Sequence, residues 1–423
     1  MLGRIKLILS NKKVMLRILI TLLIILVYRI ASYIPIPLFN VDILTTDFNG
    51  NGFLAILNSY SGQALARFSV FALGISPYIT ASIAVQLLQS VVPRLKEWQE
   101  QGEDGKRKSA RLTRYLSLIL AFAQGLILIL SVGAPVQQGV EENLGVYLYM
   151  ALTIAAASGV TIWLAELITA KGVGNGTSIM IITGMVVSLP IMFETLVNKY
   201  FTNGFNWGNF ALFSLIIFIY LAVIVGVICV YVAVRKIPIQ YANRQGSTDS
   251  NIPLKVNSAG VLPVIFASTL LSIPLSIAGF SSDANFQTWV GAIFSSQQPV
   301  GFILYLILIV IFAFFYTFMT VNPNQMADNL AKQNAFIPGI RPGDDTKIYI
   351  ARTLFKVTVI GTIFLVVLAS LPIIISLAFQ FTAQEAAVIS IGGTGLLIIV
   401  GVAIETTEQI ETAANQDQYN TLF

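Results

Sequence analysis

Long apolar runs alternate with short polar segments along most of the chain. A helix needs about 20 mostly apolar residues to cross the hydrocarbon core of a bilayer. Judged by that length, the pattern predicts an all-α polytopic membrane protein with ten transmembrane helices. The predicted spans are 18–36, 68–92, 115–132, 146–165, 177–196, 210–234, 257–278, 301–320, 357–376 and 386–404.

The charges between these spans predict the topology. Of the 25 lysines and arginines, 22 lie in the first 17 residues, in 93–114, 235–256 and 321–356, and at Lys171. With ten spans, all of these segments fall on one side of the membrane, and the positive-inside rule makes that side cytoplasmic. Both termini are then predicted to be cytoplasmic.

The composition excludes several kinds of chemistry. Hydrophobic residues make up 56% of the chain and charged residues 11%, whereas a soluble domain is about 25% charged. There is no histidine and one cysteine, Cys229, so intrachain disulfides and Ser/His/Asp triads are excluded, and His- or Cys-based metal sites are not expected. The glycines of 171–178 lack the spacing of a P-loop. We expect no metal, no cofactor and no catalytic residue.

Only one charged residue, Arg29, lies well inside a predicted span. Such a group costs at least about 2.5–3.5 kcal/mol at mid-membrane, and we expect its side chain to snorkel to the interface or to bond a helix end. A transport role is the alternative. A pathway without charged binding groups favours a conduit lined by apolar and small polar side chains over a site for a specific ion.

Two polar regions have structural signals of their own. The segment 37–67 is too polar to span a bilayer, and it is predicted to be a surface loop or a half-helix folded back into the protein. In 337–343 an arginine, Arg341, lies between two Pro-Gly pairs, so a defined projection is expected. Arg341 suits recognition of carboxylate or phosphate; a solvated basic loop remains the alternative.

Several short strings of residues, each at its own place in this topology, carry a resemblance to a known family. They are Tyr28-Arg29-Ile30, Ile34-Pro35-Ile36-Pro37, 71–82, Gln86-Leu87-Leu88, 102–108, 172–176, 253–263, Asn322-Pro323, 327–330, 337–343 and Gly392-Gly393-Thr394. Together they resemble the SecY family, the central subunit of the Sec protein-conducting channel. The resemblance covers nearly the whole chain.

The resemblance implies two inverted five-helix halves around a central pore, with a re-entrant plug half-helix. The N-terminal half would be 1–200, with spans 1–5 and a plug at about 53–64. The C-terminal half would be 201–423, with spans 6–10 and the cytoplasmic loops 235–256 and 321–356.

The resemblance also implies site residues. The apolar pore ring carries over to Ile75, Ile79, Thr177, Ile181, Ile265 and Ile398. The plug carries over to Phe53, Leu54, Ile56, Leu57, Gly62 and Gln63. The lateral gate, through which helices leave for the lipid, carries over to Ser82, Gln86, Asn257 and Ser268. The surface for docking a motor or a ribosome carries over to Arg341, Arg235, Lys236 and Arg244.

Three positions depart from the pattern of the family. Threonine stands at position 177 of the ring, Gln63 follows Gly62 where Gly-Gly is usual, and Ser76 replaces a bulky apolar residue. A more polar constriction is easier to wet, because apolar constrictions block ions by dewetting. We hypothesise a less tightly sealed resting channel.

The implied function is to pass unfolded secretory polypeptides across the bacterial cytoplasmic membrane and to release transmembrane helices laterally into it. The implied partners are SecE-like and SecG-like small membrane subunits, the SecA motor ATPase, the ribosome, signal sequences, nascent chains and membrane lipids. Two alternatives remain open: a secondary transporter of a small uncharged solute, and a membrane scaffold or insertase without a through-pore. Whether the chain is a housekeeping channel or an accessory paralogue is also open.

Overall fold

A computed structural model describes residues 11–39, 58, 61–132, 143–201, 206–241, 250–278, 284–379 and 381–422. Within these ranges the chain is mostly helical, with one small sheet. The first helices are α1 Lys12–Ala31, α2 Ser76–Val91, α3 Pro93–Glu100, α4 Glu103–Val132, α5 Leu144–Lys171, α6 Gly176–Met185, α7 Ser188–Phe201 and α8 Trp207–Val232. The later elements are β1 Val234–Tyr241, β2 Ser250–Lys255, α9 Leu262–Ala278, α10 Ala284–Phe294, α11 Pro299–Thr320, α12 Pro323–Lys332, β3 Ala335–Phe336, α13 Asp344–Ala378 and α14 Ala383–Leu422.

Eight helical stretches of the described chain are long and apolar enough to cross a membrane. The two remaining predicted spans, 68–92 and 257–278, correspond to shorter apolar helices: α2 has 16 residues and α9 has 17. The prediction of helix was wrong at 68–75 and at 257–261, where the chain forms turns. The ten-span topology fits this arrangement.

Both short helices begin late because of the same local sequence. Each is preceded by a glycine with a positive φ, Gly74 at +52° and Gly260 at +65°, and each has a proline three residues after that glycine, Pro77 and Pro263. A left-handed backbone favours glycine, and proline suits the first turn of a helix because that turn needs no N–H donor. The pair of residues therefore specifies where the helix starts.

The predicted fifth span is divided into α6 and α7 by a break at Val186 and Val187. Pro190 follows three residues later, and a proline inside a helix clashes with the carbonyl four residues before it. The amide of Val187 bonds Gly184 O at 3.3 Å, one residue short of the helical partner Thr183. The carbonyl of Thr183 is thus left for another donor.

The largest apolar core lies where α1, α2, α5, α6, α8, α9, α11, α13 and α14 meet. Large apolar side chains on the outer faces of the long helices are exposed, including Ile119 of α4, Trp163 of α5 and Phe218 of α8. In a soluble protein such an exposed apolar surface would promote aggregation, whereas the hydrocarbon core of a bilayer solvates it. The pattern is that of a multi-pass membrane protein.

The described parts of the cytoplasmic loops predicted at 235–256 and 321–356 form one small folded unit. Strand β1 pairs antiparallel with β2 and, at its far end, with β3, in the order β2-β1-β3. Alternate residues of β1, Ile237 and Ile239, are buried with Leu330, Ile337 and Ile350 from the second loop. The unit therefore has its own apolar core, and we call it the sheet unit.

Candidate functional site

A cavity of about 460 Å³ is lined by residues between positions 75 and 316. Helix α2 contributes residues at helical spacing, α5 and α6 contribute the largest share, and α9 and α11 contribute most of the rest. The lining residues are Ile75, Tyr78, Ile79, Ser82, Gln86, Ala110, Ile162, Ala165, Glu166, Thr169, Ala170, Asn175, Thr177, Ser178, Ile181, Leu262, Ile265, Phe266 and Tyr316.

Five of the six residues predicted for the pore ring line this one cavity. They are Ile75, Ile79, Thr177, Ile181 and Ile265. The sixth, Ile398, does not line the cavity; it is 1% exposed and belongs to the same apolar core as the four ring isoleucines. The fold thus brings Ile75 and Ile265, which are 190 positions apart in the sequence, to one cavity.

Thr177 is the polar member of this set. It lies at the start of α6, where Asn175 caps the helix by accepting a hydrogen bond from Thr177 N at 3.1 Å. The Thr177 hydroxyl donates to the same Asn175 Oδ1 at 2.7 Å. The hydroxyl is therefore engaged at the helix N-terminus, beside the cavity.

The four residues predicted for the lateral gate divide into two pairs. Ser82 and Gln86 of α2 line the cavity, and Gln86 Nε2 donates to Ser82 Oγ at 3.1 Å. Asn257 is buried in the turn before α9, where its Nδ2 donates to Gly260 O at 3.1 Å. Ser268 donates to its own helix at Ile265 O. Helix α2 packs against α9. We call this contact the seam, and the four residues lie on or next to the two helices that form it.

The sequence contains a signal for this site that the spans alone do not reveal. The strings Gly74-Ile75-Ser76-Pro77-Tyr78-Ile79 and Gly260-Val261-Leu262-Pro263-Val264-Ile265 match in their glycine, proline and final isoleucine. Ile79 and Ile265 are both ring positions, and each lies five residues after its glycine. A search for repeated Gly-x-x-Pro within apolar runs would have found both helix starts.

The residues predicted for the plug fall mostly outside the described part of the chain. Phe53, Leu54, Ile56 and Leu57 are among the positions that the structure does not describe. Gly62 and Gln63 are described, and both have a positive φ of 65°. They begin a turn-rich stretch, 61–75, that leads directly into α2; we call this stretch the pre-α2 segment.

Arg29 forms hydrogen bonds to this segment and to a helix end. The bond to a helix end is one of the two arrangements expected from the sequence. Arg29 Nη1 donates to Gly62 O at 3.1 Å, and Nη2 donates to Thr183 O at the end of α6. The guanidinium is thus satisfied by backbone carbonyls.

The predicted docking residues lie on the sheet unit, except Arg244, which lies outside the described residues. Arg235 and Lys236 are exposed on β1, and Arg341 is exposed in the turn before α13. The backbone of that turn is held, because the buried Thr346 donates its hydroxyl to Arg341 O at 2.8 Å. A basic side chain is therefore presented from a structured turn.

One ion pair lies at the rim of the cavity. Glu166 of α5, which lines the cavity, accepts a hydrogen bond from Arg114 Nε of α4 at 3.0 Å. In the part of the chain that the structure describes, no three His, Cys, Asp or Glu side chains come together as a metal site would require.

Comparison with known proteins gives a consistent result. A model of the SecY family matches residues 69–407. Over 418 residues the chain is 44% identical to the protein translocase subunit SecY of Halalkalibacterium halodurans, a match that covers 95% of both chains.

Two solved channels have a similar fold. One is from a study of how the SecY plug domain stabilises the closed state of the translocation channel and maintains a membrane seal; the TM-score is 0.64 at 19% identity, over 95% of this chain and 92% of that one. The other is Sec61 in a canine ribosome-channel complex, with a TM-score of 0.60 at 18% identity, over 95% of this chain and 93% of that one.

Proposed function

The chain belongs to the SecY family of protein translocase subunits, and we propose that its cavity between α2 and α9 is part of the path of unfolded polypeptides. It is a multi-pass membrane protein and a subunit of a protein-conducting channel. The ring, plug, gate and docking roles of individual residues belong to the proposal.

One observation supports the path above all: five separately predicted ring residues line one cavity. Four of the five are isoleucine, and apolar constrictions block ions by dewetting. Isoleucine side chains make only non-directional contacts, so they fit an extended chain of any sequence. A transporter of one small solute would instead need convergent polar groups that are free to bind it. Polar side chains do line the cavity, but Glu166 is paired with Arg114 and Thr177 with Asn175.

Disulfide trapping tests the path directly. In a Cys229→Ser background, Ile79→Cys and Ile265→Cys should each cross-link to a cysteine in a preprotein arrested during translocation into proteoliposomes. The matched controls are Ile119→Cys on α4 and Ile277→Cys on α9, whose native side chains are 66% and 58% exposed on the outside of the bundle. Cross-linking at the control positions with equal yield would reject the path.

The cavity also supports a division into two halves, 1–200 and 201–423. The matched Gly-x-x-Pro starts of α2 and α9 lie one in each half, and the two helices pack against each other. We propose that this seam is the lateral gate and that signal sequences and nascent transmembrane helices partition into it because they are themselves apolar.

We place the sheet unit on the cytoplasmic face, with both termini, in the bacterial cytoplasmic membrane. Its basic residues fit a docking surface for the SecA motor or a ribosome, and the similar Sec61 belongs to a ribosome-channel complex. SecE-like and SecG-like subunits and lipids complete the proposed set of partners. Energy for transport would come from the motor or from translation.

Charge reversal tests the docking surface. Arg341→Glu should abolish SecA-driven translocation in proteoliposomes while the protein still assembles, because a fixed cation in a structured turn becomes an anion. Arg107→Glu makes the same change at an exposed site on α4, outside the sheet unit, and should retain most of the transport. Unimpaired transport by Arg341→Glu would remove the docking role.

A further inference from the structure

Arg29 connects three parts of the chain that are distant in sequence. Its own helix is α1, Gly62 lies 33 residues away in the pre-α2 segment, and Thr183 lies 154 residues away in α6. Each of the two terminal nitrogens of one guanidinium serves one of these carbonyls. The planar fork of arginine suits such a bridge, whereas lysine offers a single point charge.

Local backbone features allow both hydrogen bonds, by freeing the Thr183 carbonyl and by leaving space for the guanidinium at Gly62. The break before α7 shifts the amide of Val187 to Gly184 O, so Thr183 O, which a continuous helix would pair with Val187, receives Arg29 instead. At the other end, a Cβ on Gly62 would lie 2.5 Å from Arg29 Nη1 and 2.7 Å from Nη2. Only glycine admits the guanidinium at this distance.

The neighbouring residue, Tyr28, holds the rest of the pre-α2 segment. It is 1% exposed, and its ring meets Phe71 edge-on at 5.6 Å between centroids. A Cβ on Gly74 would lie 3.3 Å from Tyr28 Oη and 3.1 Å from Ser61 Cα. Arg29 therefore contacts the start of the pre-α2 segment and Tyr28 contacts its end, which is Ile75.

Each of the two parts that the bridge connects contains a ring residue. Ile75 is the last residue of the pre-α2 segment, and in α6 Thr183 follows Ile181 by two positions. Since Arg29 bonds the pre-α2 segment and α6 at once, the relative position of these two parts of the ring depends on it. A movement of the pre-α2 segment away from α6 requires at least one of the two hydrogen bonds to break.

We propose that Arg29 is a latch, a positioning residue whose bridge between Gly62 O and Thr183 O holds the pre-α2 segment against α6 and keeps the ring sealed. The latch rests on the proposed function of the ring as the constriction of the path. It is released when the segment moves to admit a polypeptide.

The test compares leak with transport. Arg29→Met removes both charge-assisted hydrogen bonds, so the resting ion conductance in planar bilayers should rise about tenfold or more. Transport of a normal preprotein should continue. Arg29→Lys, which retains the charge but not the fork, should leak to an intermediate degree.

Arg67→Met is the matched control. Arg67 is exposed in the same segment, and its Cζ lies 4.2 Å from the centroid of the Tyr33 ring, so its loss should leave the leak unchanged.

Gly62→Ala provides an independent test, because the added methyl displaces the guanidinium without changing the charge. This variant should leak as Arg29→Met does. If Arg29→Met is not recovered as folded protein in detergent, Arg29→Lys and Gly62→Ala decide the question.

Several outcomes would overturn the latch. One is folded Arg29 and Gly62 variants that stay as tight as the wild type; another is a loss of transport and thermal stability without extra leak, which would indicate a purely structural role. Failure of the proposed function looks different, since the wild-type protein itself would then transport no preprotein. The latch and the path can thus be judged separately.

Discussion

The starts of α2 and α9 have the same backbone and different surroundings. Both glycines have a positive φ, and both helices take a proline in the first turn. A Cβ on Gly74 would meet backbone, Ser61 Cα at 3.1 Å, whereas a Cβ on Gly260 would meet the far end of a side chain, Glu405 Oε1 at 2.8 Å. One helix start is enclosed by main chain and the other by a flexible carboxylate.

This difference indicates which of the two helices, α2 or α9, can be displaced more easily at its start. Backbone of the pre-α2 segment is held by Tyr28 and Arg29, so α2 cannot shift at its start unless that segment shifts too. The start of α9 is held by side chains, Asn257 to Gly260 O and Lys255 to Glu408, which rearrange by rotamer changes. We expect α9 to be the more readily displaced partner of the seam.

The largest effect is expected at Gly74. Gly74→Ala forces a side chain into a left-handed backbone against main chain, and should destabilise the protein by about 1–3 kcal/mol. Thermal unfolding in one detergent measures this. Gly102→Ala is the matched control, because Gly102 has a φ of +67° with nothing within 4 Å of its Cβ; it reports backbone strain alone. Equal losses at both positions would refute the enclosure by main chain.

A smaller effect is expected at Gly260. Gly260→Ala carries similar backbone strain of about 1–2 kcal/mol, but Glu405 can swing away. In a Glu405→Ala background the cost of Gly260→Ala should fall, and a double-mutant cycle should show coupling of at least about 0.5 kcal/mol.

The corresponding cycle at the other helix start pairs Gly74→Ala with Tyr28→Phe. It should show no coupling, since Ser61 Cα stays in place. Coupling at both helix starts, or at neither, would contradict the contrast between them.

A change of the ring itself should have a lesser effect. Thr177→Ile removes the only hydroxyl among the five ring residues that line the cavity, and the resting conductance should drop by less than the rise expected from loss of Arg29. The α6 cap survives, because the backbone N–H of residue 177 still reaches Asn175. Thr320→Ile, exposed at the end of α11, is the control, and an unchanged leak in Thr177→Ile would reject the hypothesis of a looser seal.

The smallest effect is expected where α7 meets the start of α14 through Lys199 and Glu385, at 3.2 Å. Partial burial would raise the pKa of Glu385, but hydrogen bonds from the Thr382 amide and from Lys199 outweigh it and lower that pKa below its usual 4.5. The stabilisation is therefore present above pH 4.5 and lost as the pH falls through the lower folded pKa.

The contribution of this partly buried ion pair to stability should be about 0.2–1 kcal/mol, close to that of pairs at the surface. Glu385→Gln removes the charge, so the thermal stability of this variant should change less than that of the wild type between pH 6 and pH 4. These pH values lie on the two sides of the usual carboxyl pKa of 4.5. An identical pH dependence in both proteins would show that the pair contributes nothing.

Some features of the fold could be read from the sequence, and others had signals that the reading missed. Long uncharged runs such as 301–320 predicted α11 closely, because few other structures bury such a run. The alternation of Ile237 and Ile239 in β1 is a strand signal within a segment interpreted as a loop. Pro190 likewise marked the break between α6 and α7.

The partners of Arg29 carried no such signal. Local patterns report only neighbours within a turn or a strand, and the two carbonyls that it bonds lie 33 and 154 residues away. A backbone carbonyl is also present in every residue, so no residue type marks it as an acceptor. The need for glycine at position 62 likewise becomes clear only from the structure, which places the Arg29 guanidinium beside it.

The sequence by itself determined that the chain lies in a membrane, how often its apolar runs recur and which segments stay polar, because the bilayer selects for length and hydrophobicity and not for partners. Only the tertiary structure decided which isoleucines line one cavity and which carbonyls accept the hydrogen bonds of Arg29. Those outcomes depend on helix packing across hundreds of residues, where shape and hydrogen-bond geometry, rather than hydrophobicity, distinguish one arrangement from another.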